Sequence, residues 1–391
     1  MKFLRKFLDN LHPLVKEGGK LHALRSLVDG FDTFAFVPNT TSRAGAVNIH
    51  DAIDSKRIMS TVVIALVPAM LFGMYNVGYQ NALAAGALDQ TGFWSMFCYG
   101  FLALLPKIMV SYIVGLGIEF TVAQWKNEEI HEGFLVSGIL IPLMVPITLP
   151  LWMLALATAF SVIFAKEVFG GTGMNIFNPA LIARAFLFFS YPTAMTGDNS
   201  VWVSGGKILG LGYDVVADGL TGATPLGQAA MKGFQGLDAD TICNAVTGLI
   251  PGSVGETSVI AIALGAILML ATGVASWKTM LSVFVGGAAT GYLLQATGQS
   301  AIQWYEHLVV GGFAFGAVFM ATDPVTSART ECGKYIYGLL IGFVAVLVRV
   351  LNPGYPEGMM LAILLMNLFA PLIDYGFVQS NINKRAKRAI K

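Results

Sequence analysis

Cysteine is scarce in this chain: three residues in 391, Cys98, Cys243 and Cys332, lie far apart with no C-x-x-C spacing, and the five histidines are scattered. That pattern supports neither a disulfide framework nor an iron–sulfur or zinc ligand set. Charge is thin as well, at 12% of residues with a net of +1. The charges sit in the terminal segments and short loops and form no basic face, so nothing points to nucleic acid. Nor does Phe3 to Val15 read as a secretory leader, because it is amphipathic and acid-containing and has no long apolar core before a small-residue cleavage site. The start is expected to persist as a cytosolic extension.

Apolar residues and glycine take the place of what is missing. With 55% hydrophobic residues and 44 glycines, and a mean hydropathy of +0.67, the chain reads as an integral membrane protein. Its apolarity is continuous where a β-barrel would alternate, so the expected class is all-α. A spanning helix needs about 20 mostly apolar residues, and the pattern predicts ten. They run from Ile58 to Gly78, Tyr99 to Ala123, Gly133 to Leu149, Leu151 to Val168, Phe177 to Pro192, Ser258 to Ser276, Met280 to Thr297, Leu308 to Ala321, Tyr335 to Leu351 and Met359 to Phe377. The first 57 residues hold nine Lys and Arg, and the tail holds Lys384, Arg385, Lys387, Arg388 and Lys391. By the positive-inside bias both termini are cytoplasmic. Lys126, Lys166, Lys278, Arg329 and Lys334 then fall in loops on that same side.

Five regions follow: an N-terminal extension (1–57), a first five-helix unit (58–192), an acidic, Gly-rich extracytoplasmic loop (193–257), a second five-helix unit (258–377) and a basic tail (378–391). An odd number of spans per unit makes the second unit inverted relative to the first. Asn175-Ile-Phe-Asn-Pro179 is echoed by Asn367-Leu-Phe-Ala-Pro371, and Lys166 by Arg349. Pro142, Pro146 and Pro150 crowd the third span, and Gly311, Gly312 and Gly316 lighten the eighth before Asp323-Pro324. Interruptions of this kind usually line a cavity or an ion path, with plain kinking as the alternative.

The most informative stretch is Asp218-Gly219-Leu220-Thr221-Gly222-Ala223-Thr224. A threonine in a small, exposed frame offers its hydroxyl to an enzyme that esterifies it with a phosphate-bearing flavin. The competing reading is a polar loop or helix cap. Glu119, late in the second span, is an acid that lipid tolerates only when it is paired, solvated or useful.

Long strings carry a family resemblance: Glu132-Gly-Phe-Leu, Lys166-Glu-Val-Phe-Gly-Gly-Thr-Gly173, Asn178-Pro-Ala-Leu181, Arg184-Ala-Phe-Leu-Phe-Phe189, Asp218 to Thr224, Gly312-Phe-Ala-Phe-Gly316, Ala321-Thr-Asp-Pro-Val325 and Pro356-Glu-Gly-Met-Met360. Nearly end to end, the chain resembles the B subunits of the sodium-translocating NADH:quinone oxidoreductase. It is also similar to the D subunit of the Rnf complex, although the long soluble start favours the first. The resemblance implies a urea- and ammonium-transporter-like architecture in the bacterial inner membrane. It also implies FMN bonded covalently to Thr224, installed by a flavin transferase that recognises Asp218, Thr221, Gly222 and Ala223. A noncovalent riboflavin at Asn175 and Asn178 is implied as well, one helical turn apart so that both amides point the same way, with capping before Pro179 as the alternative. Ubiquinone is implied near Gly115 and Gly117, where helix packing is the competing role. For Na+ the matching acids are Glu119 and Asp374. Asp323 is a further candidate on the Na+ path, with a loop or capping role competing. Lys107, Arg184 and Arg349 are the candidate countercharges. Five other subunits, among them a C subunit with its own covalent FMN, would complete an assembly of six that passes electrons from NADH to ubiquinone. A redox-silent solute transporter is the rival reading from another class.

Overall fold

Apolar runs that must satisfy every backbone group internally leave the chain little choice but helix, and every long element of the computed structural model is helical. It describes residues 5, 10, 13, 25, 28, 55–126, 133–196, 202–214, 224–231, 237–352 and 357–389. Asp218, Thr221, Gly222 and Ala223, together with nearly all of the expected N-terminal extension, lie outside these residues.

The first half holds α1 (Ser55–Ala84), α2 (Phe93–Lys126), α3 (Phe134–Met144), α4 (Leu151–Ser161) and α5 (Pro179–Ser190). A connecting region follows with two short helices, α6 (Pro225–Met231) and α7 (Ala239–Thr247). The second half holds α8 (Val259–Ala271), α9 (Trp277–Ala296), two short pieces α10 (Glu306–Val309) and α11 (Phe313–Phe315), then α12 (Glu331–Leu351) and α13 (Met359–Ala389). Among the described residues there is no β-strand, only an isolated bridge between Ile208 and Leu211.

Among the described residues, six helices are long and apolar enough to cross a membrane: α1, α2, α4 with its continuation to Phe169, α9, α12 and α13. Three more apolar helices, α3, α5 and α8, are shorter. The expected eighth span is broken, with α10 and α11 separated at Val310 to Gly312. The expected outer loop carries helices of its own, a difference the run of polar and glycine residues did not announce.

Among the described residues, two segments of the framework adopt π-helical geometry. α4 continues into a π-helical turn at Val162–Lys166, and α11 into a second at Gly316–Met320. A π turn inserts one residue into the helical register and re-aims the side chains beyond it. The register change after α4 explains why Lys166, expected in a loop, is instead buried at 3% exposure.

Close helix packing in lipid comes from small residues, because burial against apolar tails gives no hydrophobic gain. α1 and α2 meet where a Cβ at Gly100 would fall 1.8 Å from the Met74 carbonyl oxygen. α9 and α12 meet likewise, with a Cβ at Gly342 falling 2.2 Å from the Val283 carbonyl oxygen. Aromatic side chains are exposed at both ends of the bundle, Trp94, Trp152 and Trp304 at one and Trp125, Trp277 and Tyr375 at the other. That placement suits two membrane–water interfaces.

Candidate functional site

One cleft gathers four of the polar residues that the sequence singled out, Lys166, Asn175, Asn178 and Asp323. It is lined by the starts of α1 (Ile58, Met59, Val62) and α3 (Gly133, Val136, Ser137, Leu140), by Lys166 and by the turn Thr172, Asn175, Asn178 and Pro179. The second half adds Met269, Val274 and the segment Phe319 to Val325. Because consecutive helices run antiparallel, these pieces all lie at the end of the bundle where α1 begins. Both π-helical turns border this cleft, contributing Lys166 and Phe319.

The turn that holds Asn175 and Asn178 follows from glycine. Gly170, Gly171 and Gly173 adopt φ of 108°, 90° and 94°, a region side chains resist, and they fold the chain back after α4 so that Thr172 lines the cleft. Its Oγ1 is buried and has no partner among the described residues. Asn178 then caps α5, its Oδ1 accepting from the Ala180 amide at 3.0 Å with Pro179 at the first helical position. The expectation that both asparagines ride one helical turn is therefore corrected. They sit in the turn before α5, and the capping alternative holds for Asn178.

Each amide keeps spare capacity. Asn175 donates to the Phe177 carbonyl at 3.0 Å and accepts from the Gly173 amide at 3.2 Å, and Asn178 donates to Asp323 at 3.1 Å. A carboxamide has two donors and two acceptor positions, so one of each is left on both residues. With the unpartnered Thr172 hydroxyl, this donor set fits the polar edge of a flat heterocycle such as an isoalloxazine. Phe319, Val62, Leu140 and Met269 would cover its apolar body.

Asp323 is the acid of the cleft. It accepts from the Val325 amide and the Thr326 hydroxyl at 3.0 Å each, besides Asn178. Burial pushes its carboxyl above the usual carboxylate range, against the lowering by these three donors. The expected capping role is met by the Val325 contact, and it coexists with a place on the cleft wall.

Glu119 lies beside this site and forms a buried ion pair with Lys166, the side chains being 5% and 4% exposed. Its countercharge is thus none of the three expected. Lys107 donates instead to the Leu149 carbonyl at 2.5 Å, and Arg349 to the His307 carbonyl at 2.6 Å. Arg184 bridges Glu256 and Glu357, the latter at 2.5 Å. Asp374 sits apart from the cleft, accepting from the Arg329 and Thr330 amides at 2.8 and 2.9 Å. Glu256 and Glu357 were missed in the sequence because each lies in a connecting segment at the far end of the bundle, where an acid looks solvated.

The two glycines separate clearly. A Cβ on Gly115 would lie 1.9 Å from the Phe134 ring, whereas Gly117 has nothing within 4 Å. Gly115 is a packing residue, and neither glycine lines the cleft.

Thr224 lies at the opposite end. It is half-buried and precedes Pro225, with its Oγ1 accepting from the Gly227 amide at 3.1 Å. Leu226 of α6 rests against Gly311, where a Cβ would come within 3.0 Å of it and 3.4 Å of the Arg349 guanidinium. The helix after Thr224 therefore leans on the break between α10 and α11.

Residues 43–383 match the family described as NQR2, RnfD, RnfE. The chain is 45% identical to the B subunit of the Na(+)-translocating NADH-quinone reductase of Chromohalobacter salexigens, over 98% of this chain and 96% of that protein. It is 42% identical to the protein of the same description in Ectopseudomonas mendocina, over 99% and 100%, and 43% identical to that of Pseudoalteromonas atlantica, over 98% and 99%.

Proposed function

Because the chain belongs to the NQR2, RnfD, RnfE family, we propose that it serves as the flavin-carrying membrane subunit of a sodium-pumping NADH:ubiquinone oxidoreductase. The observation that carries this reading is identity of 45% across nearly the whole of both chains with a protein of that description. The D subunit of an Rnf complex is the second reading, since the family covers both.

In this reading the ten helical segments of the two halves cross the inner membrane as inverted five-helix units, with both termini in the cytoplasm. Supporting it, α1 packs on α8 and α5 on α13, first with first and last with last, as a two-fold relation between the halves allows. The basic residues Lys126, Lys278, Arg329 and Lys334 lie at the end that would face the cytoplasm.

Thr224 would hold FMN through a phosphoester on its hydroxyl, with Asp218, Thr221, Gly222 and Ala223 as the frame that a flavin transferase reads. Asn175 and Asn178 would hold riboflavin by its polar edge in the cleft. Bound there, the flavin supplies one-electron chemistry, and the chain's own part is to orient the ring, shield it from water and set the local charge. Ubiquinone takes the electrons and Na+ leaves in step, with Glu119, Asp323 and Asp374 as the acids on the ion's route. Electrons reach Thr224 from the covalent FMN of the C subunit within an assembly of six, and tethering keeps the carrier at high effective concentration beside its partners.

Intact-mass analysis and peptide mapping of the chain purified from a host with the transferase tests the covalent site. An FMN-sized adduct on the Thr224 peptide is expected, and a bare peptide overturns it. Electron transfer from NADH to quinone, as against exchange between ferredoxin and NAD, separates the two family readings.

A further inference from the structure

Lys166 occupies two sites at once. Its ammonium pairs with Glu119 in a buried contact, and the same side chain lines the cleft beside Thr172, Asn175 and Asn178. The π-helical turn at Val162–Lys166 is what places it there. Glu119 has a second carboxylate oxygen, Oε2, that is buried and has no partner among the described residues. A carboxylate half-satisfied inside lipid is costly, so its environment is poised to take another cation.

We propose that Lys166 is a shared counter-cation that links charge in the cleft to cation binding at Glu119. A negative charge in the cleft competes with Glu119 for one ammonium. When Lys166 turns toward the cleft, Glu119 loses the positive partner it has among the described residues, and its two oxygens suit a hard monovalent cation such as sodium. The electron comes from the upstream carrier of the complex, no proton moves on Lys166, and no bond to the protein forms or breaks. Reciprocity follows from linkage: sodium at Glu119 releases Lys166 and favours added negative charge in the cleft by the same factor. Lys166 is a positioning residue in this scheme. The inference rests on the reading of the cleft as the riboflavin site.

The test uses the assembled complex and measures the midpoint potential of its noncovalent flavin with and without sodium, beside the flavin content released on denaturation. In the parent complex sodium should raise the potential. Lys166→Met should lower it by about 59 mV, corresponding to a tenfold loss of preference for the reduced state by a one-electron couple, and should abolish the sodium response. Lys166→Arg should retain both. Glu119→Gln should keep the potential at least as high as the parent's while losing the sodium response. An unchanged potential and sodium response in Lys166→Met overturns the proposal. If that variant fails to assemble, a parent-like sodium response in Glu119→Gln overturns it equally. Full retention of noncovalent flavin in Asn178→Ala instead removes the site reading beneath it, a result distinct from either.

Discussion

Asn178 donates its amide to the Asp323 carboxylate across 3.1 Å, joining the turn before α5 to the turn after the second π-helical segment. The two residues belong to different halves of the chain, so this bond clamps the cleft shut at one edge. Asn178→Ala removes it together with the cap on α5. The cap is worth about 1 kcal/mol, and a hydrogen bond to a charged group about 1.5–3 kcal/mol. We expect a lower melting temperature in detergent and loss of noncovalent flavin on gel filtration. Asn178→Asp keeps the cap acceptor but faces Asp323 with a like charge. It should therefore lose the flavin with a smaller loss of helix stability, which would separate capping from cleft closure.

Thr224 tests two roles with one oxygen. As the cap of α6 its hydroxyl accepts from Gly227, and its removal should cost roughly 0.5–2 kcal/mol locally. As the proposed flavin attachment point it should be indispensable for fluorescence of the denatured polypeptide. Thr224→Ala should abolish that fluorescence and loosen α6 against Gly311. Thr224→Ser keeps an oxygen at the same place, so the cap should survive in full. In-gel fluorescence and protease sensitivity of the 224–231 segment read the two effects separately. Fluorescence persisting in Thr224→Ala would end the assignment.

Much of the framework was legible because lipid imposes so few solutions. Continuous apolar runs located α9 and α12 within four residues of their observed limits and α1 and α2 within six, whereas α13 starts where expected but continues twelve residues past Phe377, to Ala389. Glycine and proline marked where the third and eighth expected spans fail as long helices. The π-helical turns were not legible, since Val162-Ile-Phe-Ala-Lys166 and Gly316-Ala-Val-Phe-Met320 contain nothing that distinguishes one extra residue per turn from ordinary helix. That single register change hid Lys166, which looks like a loop cation when helical spacing is carried through it.

The site shows the same division. Asn175, Asn178 and Asp323 could each be suspected from the sequence, but their convergence is a property of the fold, since Asp323 is 145 residues from Asn178. Thr172 went unnoticed inside a glycine-rich string, although three glycines in four positions are a fair signal of a forced turn. Partners were least legible of all. Glu119 pairs with a residue 47 positions away, and no local rule chooses among buried cations on different helices.

Gly115 and Gly117 differ by prediction as well as by geometry. A methyl at Gly115 collides with the Phe134 ring, and overpacking of this kind typically costs about 1–3 kcal/mol. Gly115→Ala should lower the thermal stability, and Gly115→Ala combined with Phe134→Leu should recover part of it. Gly117→Ala should be silent in stability. If Gly117→Ala nevertheless raises the KM for quinone, the residue faces a ligand-accessible surface; if only Gly115→Ala does so, the effect travels through Phe134 and α3.

Arg184 offers the sharpest stability test at the far end of the bundle. One guanidinium holds Glu256 and Glu357 together, all three side chains being 18% exposed or less. Ser253 adds a hydroxyl to Glu256 at 2.5 Å. The three charged groups come from α5, the segment before α8 and the segment before α13, so the cluster fastens the two halves. Removing one partner of a buried pair costs about 3–5 kcal/mol, because the remaining charge has no compensation. Arg184→Leu strands Glu256, leaves Glu357 with only the charge of the neighbouring Arg349 guanidinium, and should give little extractable protein. Glu357→Gln should be far milder, since Glu256 stays paired. The decisive variant combines Arg184→Leu with Glu256→Gln and Glu357→Gln. Neutralising all three should restore much of the yield and melting temperature if the cost lies in uncompensated charge. A triple variant as unstable as Arg184→Leu alone would show instead that the guanidinium is needed for its shape, as the one group able to span both connecting segments.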